Sequence, residues 1–263
     1  MPSQHRRFLT FRRLRISVLL IVFGLVVGGT YFQQYSAASW KQPLRVTLYP
    51  INAEGTADVS EYIQSLTLTD FSVISEFLQE EARIYGLTTQ PPVVIALGAE
   101  IKNRPPSRPG RHASTLAIVY WSLRLRHWVY QNLSTFGLGT AHARIFVLYH
   151  EGKENQPLQH SFGLQKGMIG VVHAFARPTQ TAQNNVVITH ELLHTLGATD
   201  KYHADGRPMF PQGFADPDQE PLYPQDAAEI MAGRIPLSPN SAEIPKSLEY
   251  CAIGPKTSVE INW

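Results

Sequence analysis

The sequence predicts an α+β fold with an α/β-like N-terminal half, built on a mixed twisted sheet and preceded by one transmembrane helix. Three observations predict it. Strand, helix and strand patterns open the main part of the chain, a helix with two histidines follows near residue 190, and a proline-rich, loop-like segment comes after it. With 263 residues, 43% of them hydrophobic, the chain can bury one sizeable core.

The N-terminal segment differs in composition from the rest. Residues 1–15 contain five arginines and no acid, and residues 16–32 contain no charge. This apolar stretch is just long enough to cross a bilayer, and the arginines would keep the N-terminus in the cytoplasm. We therefore expect a cytoplasmic basic tail (1–15), a transmembrane signal-anchor helix (16–32), a linker (33–43) and a periplasmic or extracellular domain (44–263), in a single-pass cytoplasmic (inner) membrane protein. A signal peptide cleaved near Ser36 is the alternative.

The charge of the remaining chain does not indicate a nucleic-acid partner. The whole chain has 23 Lys and Arg, so without the five N-terminal arginines 18 remain against 21 Asp and Glu. This balance lacks the basic surface that nucleic-acid binding requires. The single cysteine, Cys251, has no intrachain partner, and we interpret it as a buried side chain. We expect the chain to be a monomer.

The strand and helix patterns of the first half predict a parallel sheet. Residues 44–49 alternate apolar and polar side chains, and residues 92–97 form a short apolar run. Between them, residues 71–85 show the apolar stripe of a backing helix, with Asp70 as its cap. The patterns that follow predict a helix at 112–132, strands at 144–150 and 167–177, a short helix at 225–232 and a final short element within 246–263.

Residues 184–202 read NNVVITHELLHTLGATDKY, with Asn184 or Asn185 as the predicted helix cap. His190 and His194 lie one helical turn apart, so both imidazoles can reach one metal ion, and Glu191 lies beside the first. Gly197 can end the helix in a left-handed conformation. Asp200 can then supply a third ligand and leave one position open for water. His203 and Asp205 are alternative ligands, although their spacing fits the turn less well.

The pattern HExxHxxGxxD resembles that of metzincin-clan zinc metallopeptidases, and its final Asp resembles the snapalysin-type branch. Two further motifs resemble parts of this clan. Residues 229–233 (EIMAG) resemble its methionine turn, with Met231 beneath the metal; ordinary core packing is the alternative role for Met231. Residues 172–176 (VHAFA) resemble the matrixin edge strand that pairs with an extended substrate. The fold implied is a metzincin-like sheet with an active-site helix, an upper subdomain (44–197) and a loop-rich lower subdomain (198–263).

The resemblance implies a zinc-dependent endopeptidase anchored in the membrane, with its catalytic domain outside it. His190, His194 and Asp200 would hold one catalytic Zn²⁺, and Glu191 would take a proton from the attacking water. The resemblance assigns substrate binding to the edge-strand residues His173, Ala174 and Phe175. It also places Arg234 beside the specificity pocket, where it would favour an acidic side chain. No second, structural zinc is expected. The alternative function is a non-catalytic, zinc-stabilised envelope binding module.

Overall fold

The structure is a computed structural model, and it describes residues 11, 13–21, 24, 39–110, 113–133, 141–152 and 161–263. A five-stranded sheet with the order β2-β1-β3-β5-β4 lies at its centre. Its strands are Leu44–Asn52 (β1), Val93–Leu97 (β2), Ala143–His150 (β3), Phe162–Leu164 (β4) and Ile169–Phe175 (β5). The first four strands in that order are parallel, and β4 is antiparallel to β5. The fold is therefore a mixed α/β arrangement on a mostly parallel sheet.

Helices connect the parallel strands. The chain passes through α1 (Ala57–Ser65) and α2 (Ser72–Ile84) between β1 and β2, and through α3 (Thr115–Leu133) between β2 and β3. The parallel pairing of β1 with β2 confirms the strand–helix–strand prediction. Asp70 lies in a 3₁₀ turn ahead of α2, where its carboxylate accepts the N–H of Thr67 instead of capping the helix.

Two hydrophobic clusters lie on opposite faces of the sheet. In β3, Ile145 and Val147 belong to one cluster, and Phe146 and Leu148 belong to the other, because successive strand side chains point to opposite faces. The first cluster is shared with α2 and with α4 (Thr181–Leu196), the helix that follows β5. The second cluster is closed by the buried face of α3. The histidine-bearing helix therefore packs on the face opposite α3.

The predicted transmembrane helix is wrong. In the part of the chain that the structure describes, no helix is both long enough and apolar enough to cross a membrane. The described N-terminal residues 11, 13–21 and 24 are helical, but they include Arg13 and Arg15, and a crossing needs about 20 mostly apolar residues. Residues 22, 23 and 25–32 of the predicted span lie outside the described residues. This finding also contradicts the predicted single-pass membrane localisation.

The chain after α4 contains short elements joined by loops. β6 (Ala228–Glu229) pairs with β9 (Cys251–Ala252), β7 (Ile235–Ser238) pairs with β8 (Ser241–Glu243), and α5 (Pro255–Glu260) lies near the C-terminus. The helix predicted at 225–232 is wrong, because β6 pairs with β9 and residues 230–233 form a turn instead. The Glu229 carboxylate accepts the N–H of Ala232 at 3.0 Å, which stabilises that turn.

Candidate metal centre

The helix predicted from the histidine motif is α4, and it is buried as expected. Val186 and Ile188 are poor helix formers, but both lie in the main core, where packing outweighs their low helix propensity. The predicted cap is wrong, because α4 begins three residues before Asn184. The Asn184 side chain instead accepts the N–H of Phe175 at 3.1 Å and donates to its carbonyl at 2.9 Å. These bonds attach α4 to the end of β5.

The end of α4 follows the sequence prediction. Gly197 has a φ of 113° and is the left-handed cap of the helix. A side chain at this position would meet Gln165, because a Cβ would lie 2.5 Å from its Nε2. The chain reverses after Gly197, so the Ala198 carbonyl lies 2.7 Å from Nδ1 of His194. The reversal brings the next loop back beneath the two histidines.

His190, His194 and Asp200 converge on one point, as the motif predicts. The two imidazole rings lie edge to face with centroids 4.7 Å apart. Oδ1 of Asp200 lies 3.4 Å from Nε2 of His190 and 3.1 Å from Nε2 of His194. Among the described residues, these three side chains are the one group of histidine, cysteine and acidic residues that converges closely enough to hold a metal ion.

The hydrogen bonds behind the rings determine which nitrogen faces the cluster. Nδ1 of His190 lies 2.9 Å from the Ile230 carbonyl, and Nδ1 of His194 lies 2.7 Å from the Ala198 carbonyl. A carbonyl only accepts, so each Nδ1 carries the proton and each neutral ring directs its Nε2 lone pair at Asp200. The three ligand atoms all lie within 4.8 Å of one another, and with both rings neutral their lone pairs repel one another unless a cation lies among them. Two imidazoles and a carboxylate suit Zn²⁺, and carbonyl support of the rings is usual in zinc sites.

Glu191 supplies a second, independent sign of a functional site. It is 5% exposed, and its Oε2 has no hydrogen-bond partner among the described residues. Burial raises the pKa of Glu191 above its usual range, against the opposing effect of the two neighbouring histidines. A buried carboxylate without a partner is costly, and such strain is common at functional sites. The residues therefore fit a zinc ion with an adjacent proton acceptor.

The cluster also shifts the titration of its own members. Burial acts to raise the pKa of Asp200, but the imidazoles of His190 and His194 outweigh it and hold that pKa well below its usual range. Burial acts to lower the pKa of His190, but Asp200 and Glu191 outweigh it and raise that pKa. Both shifts arise because protonated imidazoles and the Asp200 carboxylate attract one another, and a cation held by the neutral rings would replace those protons.

Met231 lies in the turn beneath the cluster. It is fully buried in the main core, and its carbonyl accepts the N–H of Lys201 at 3.0 Å. The preceding residue, Ile230, supplies the carbonyl that supports His190. The turn therefore joins the helix to the loop that carries Asp200. Met231 packs in the main core, and its role as the methionine beneath a metal ion stays a prediction.

The edge of the sheet differs from the prediction for residues 172–176. β4 lies outside β5 but pairs only with its residues 169–171, so among the described residues no strand covers the outer side of residues 172–175. The side of β5 that β4 leaves uncovered is already bonded, because the His173 N–H donates to Ser161 and the Phe175 N–H donates to Asn184. Phe175 and its neighbours His173 and Ala174 therefore do not offer an open edge for a substrate. The His173 side chain contacts His150, with 2.9 Å between Nε2 of His150 and Nδ1 of His173.

β4, which the sequence did not predict, is the edge strand beside the cluster. A Cβ at Gly163 would lie 2.4 Å from the Glu191 carbonyl oxygen and 2.6 Å from the His194 Cβ. The absence of a side chain at Gly163 therefore lets β4 approach the backbone of α4 directly at the motif. A single glycine between Phe162 and Leu164 is too weak a signal to identify such a strand in advance.

The alternative ligands do not join the cluster. His203 and Asp205 are exposed in the next loop, and the Asp205 carboxylate is bonded to Arg207 at 2.8 Å. Cys251 is buried with a free thiol, as expected, and burial raises the pKa of that thiol to about 12. The partly exposed Arg234 lies within 3.8 Å of the position that a Cβ at Gly206 would take.

Comparison with known proteins gives no family assignment. No family model matches the chain, and no curated protein matches it. Among solved structures, the chain is similar to wild-type OgpA from Akkermansia muciniphila, with a TM-score of 0.39 and 10% sequence identity. The match covers 82% of this chain and 58% of OgpA, so this chain spans a little over half the length of that protein. A likeness at this level carries no argument about function.

Proposed function

We propose that the protein is a zinc-dependent endopeptidase of the metzincin type that hydrolyses peptide bonds of proteins or peptides. The observation that carries the proposal is the buried Oε2 of Glu191, which has no partner in the described structure and follows the ligand His190 directly. A site that only holds a structural ion needs no such carboxylate and closes its fourth position with a ligand. Three converging ligand side chains beside one buried carboxylate oxygen without a partner match a hydrolytic site better.

The roles of the residues follow from their positions. His190, His194 and Asp200 would hold the ion, with the two rings fixed in one tautomer by the Ile230 and Ala198 carbonyls. When bound, zinc would polarise the scissile carbonyl and lower the pKa of a water molecule towards about 7. Glu191 accepts the proton of the attacking water and returns it to the leaving amine.

The edge of β4 provides a place for the substrate backbone. β4 is the last strand of the sheet, and Gly163 places it against the part of α4 that carries Glu191 and His194. An extended peptide can add to such an edge through main-chain hydrogen bonds, which recognise backbone and not side chains. In this proposal, Phe162–Leu164 bind the substrate backbone in place of His173, Ala174 and Phe175.

Replacement of the general base tests the function. Glu191→Gln in the 263-residue chain should keep the metal ion and lose hydrolysis of a mixed-sequence peptide library. Glu61→Gln, which alters an exposed acid on α1, is the matched control and should retain both properties. Zinc content is measured by elemental analysis and cleavage by mass spectrometry. If the zinc-loaded wild type cleaves no peptide in the library, the endopeptidase proposal is wrong and a non-catalytic zinc module is favoured.

A further inference from the structure

The loop that carries Asp200 is held by a residue near the C-terminus. Glu260, the last residue of α5, accepts the Thr199 N–H at 2.8 Å with Oε2 and lies 2.9 Å from the Thr199 hydroxyl with Oε1. The same carboxylate lies 2.7 Å from the Lys201 ammonium. Both residues that flank Asp200 in sequence are therefore bonded to one carboxylate.

Lys201 completes this network from inside the protein. Its side chain is 3% exposed, and its ammonium donates to the Thr199 carbonyl at 2.7 Å and to the Thr199 hydroxyl at 2.8 Å. With the bond to Glu260, all three ammonium protons have acceptors. The backbone N–H of Lys201 is bonded to the Met231 carbonyl at 3.0 Å. The loop at Asp200 is thus fixed from both sides, by α5 and by the turn beneath the histidines.

The charge of Lys201 makes Glu260 more than a structural contact. A buried ammonium next to a metal ligand would oppose the binding of a divalent cation. The carboxylate of Glu260 neutralises that ammonium at 2.7 Å. Without it, the Lys201 side chain would keep a buried charge without its carboxylate partner one residue from Asp200, which is costly.

α5 also holds the second support of the centre. The Thr257 hydroxyl donates to Oε1 of Glu229 at 2.5 Å, and the Gly254 N–H donates to the same oxygen at 3.3 Å. Glu229 in turn bonds Ala232 within the turn whose Ile230 carbonyl supports His190. One short helix therefore connects to two of the three predicted metal ligands, to Asp200 through Glu260 and to His190 through Thr257.

We propose that Glu260 is a positioning residue for the metal centre, which together with Lys201 orients Asp200 towards the ion. This inference rests on the metal ligation in the proposed function but not on peptide hydrolysis. It assigns α5, which the motif analysis did not connect to the site, a role in metal affinity.

The test separates orientation of Asp200 from general stabilisation. Zinc affinity of the 263-residue chain is measured by competition with a chromophoric chelator, and the melting temperature of the metal-free protein is measured in parallel. Glu260→Ala should weaken zinc binding by about 10- to 100-fold, the usual effect of removing an outer-shell partner. In an Asp200→Ala background the same replacement should change the affinity by less than about threefold, because the ligand through which it acts is gone.

Matched variants complete the experiment. Lys256→Met removes an exposed lysine that lies 3.9 Å from the Glu260 carboxylate, and it should leave zinc affinity unchanged. The visible spectrum of the Co²⁺-loaded protein should move towards that of Asp200→Ala in the Glu260→Ala variant and stay at the wild-type position in Lys256→Met. Should Glu260→Ala fail to fold, the charge-neutral double replacement Lys201→Met with Glu260→Gln carries the same test, since it removes the ion pair without leaving a buried charge.

Each remaining outcome decides the proposal. An equal loss of affinity in the wild-type and Asp200→Ala backgrounds, or a lower melting temperature with unchanged affinity, would show that Glu260 only stabilises the fold. A wild type that binds no zinc overturns both this inference and the proposed function. Zinc binding that depends on Glu260, in a protein that cleaves no peptide, supports the positioning role and refutes the endopeptidase.

Discussion

Nδ1 of His190 lies 2.9 Å from the carbonyl oxygen of Ile230, a residue forty positions further along the chain. The turn that presents this carbonyl is held by Glu229, which is fully buried and accepts hydrogen bonds from three groups: the N–H of Ala232, the N–H of Gly254 and the hydroxyl of Thr257. The orientation of a predicted metal ligand therefore depends on a carboxylate that does not touch it.

Replacing Glu229 should reduce both stability and metal affinity. In Glu229→Ala, the buried Gly254 N–H and the Thr257 hydroxyl lose their acceptor, while the Ala232 N–H keeps the backbone carbonyl of residue 229 at 2.9 Å. The free energy of unfolding should therefore fall by about 1–3 kcal/mol or more. The loosened Ile230 carbonyl should also weaken zinc binding by about tenfold. Urea denaturation and chelator competition measure the two effects. Glu243→Ala, an exposed acid on β8, serves as the control, and a destabilised variant with wild-type zinc affinity would show that His190 is oriented without the turn.

Asp200→Ala should weaken zinc binding more than replacement of a residue that only supports a ligand, such as Glu229 or Glu260. Its carboxylate is the one oxygen ligand of the cluster, lying 3.4 and 3.1 Å from the two imidazole Nε2 atoms. We expect a loss beyond the about 10- to 100-fold of outer-shell changes. Asp205→Ala is the comparison, because Asp205 is the alternative ligand and is bonded to Arg207. If Asp205→Ala lowered the affinity and Asp200→Ala did not, the ligand assignment would be reversed.

The parts of the site that the sequence predicted are local. His190, Glu191, His194, Gly197 and Asp200 lie within eleven residues, so helix geometry and one glycine cap determine their arrangement. The parallel β1–β2 pair was also predictable, because short apolar patterns around a helix indicate a crossover. In both cases the relevant contacts follow from the spacing of residues in one stretch of chain.

The parts that the sequence missed depend on distant contacts. Glu260 reaches Thr199 across 61 residues, and neither residue belongs to a pattern that predicts the other. Gly163 was missed because β4 has three residues, too few for an alternation to be recognised. Residues 225–232 have high helix propensity, but pairing with β9 overrides it. The apolar run at 16–32 predicted a membrane span from composition alone. In the described part of the chain, no helix is both long enough and apolar enough to cross a membrane.

Gly163→Ala should disturb the centre without altering any chemical group. The added Cβ would lie 2.4 Å from the Glu191 carbonyl oxygen, which belongs to the backbone of α4 and cannot rotate away. β4 must then separate from α4, at a cost of about 1–3 kcal/mol in stability, as for other overpacked sites. Peptide hydrolysis should fall with it, because the proposed substrate edge moves relative to Glu191.

Gly110→Ala provides the matched control for this replacement. A Cβ at Gly110 would meet nothing within 4 Å, so neither melting temperature nor hydrolysis should change. Thermal denaturation and peptide cleavage of both variants are compared with the wild type. Unaltered hydrolysis in a destabilised Gly163→Ala variant would remove β4 from the proposed substrate site.

The pair of His150 and His173 should make the protein less stable in mild acid. Burial, together with the neighbouring His150, lowers the pKa of His173 to about 4. The pKa of His150 is also lowered, by burial and by Arg104, against the opposing effect of Glu54. An unfolded histidine titrates near about 6.5, so between that pH and about 4 the unfolded chain binds more protons than the folded protein. Stability from this source is therefore complete above pH 6.5 and decreases as the pH falls towards 4.

The double replacement His150→Gln with His173→Gln removes both titrating groups and measures this effect. The difference in melting temperature between wild type and variant should shift in favour of the variant as the pH is lowered from about 7 to about 4. The single replacements show how much of the change in melting temperature comes from each histidine. They are compared with the double replacement, because the two rings are bonded at 2.9 Å and removal of one alters the pKa of the other. A difference that stays constant over this range would mean that both histidines bind protons equally in the folded and unfolded states. Their burial at the ends of β3 and β5 would then have no effect on acid stability.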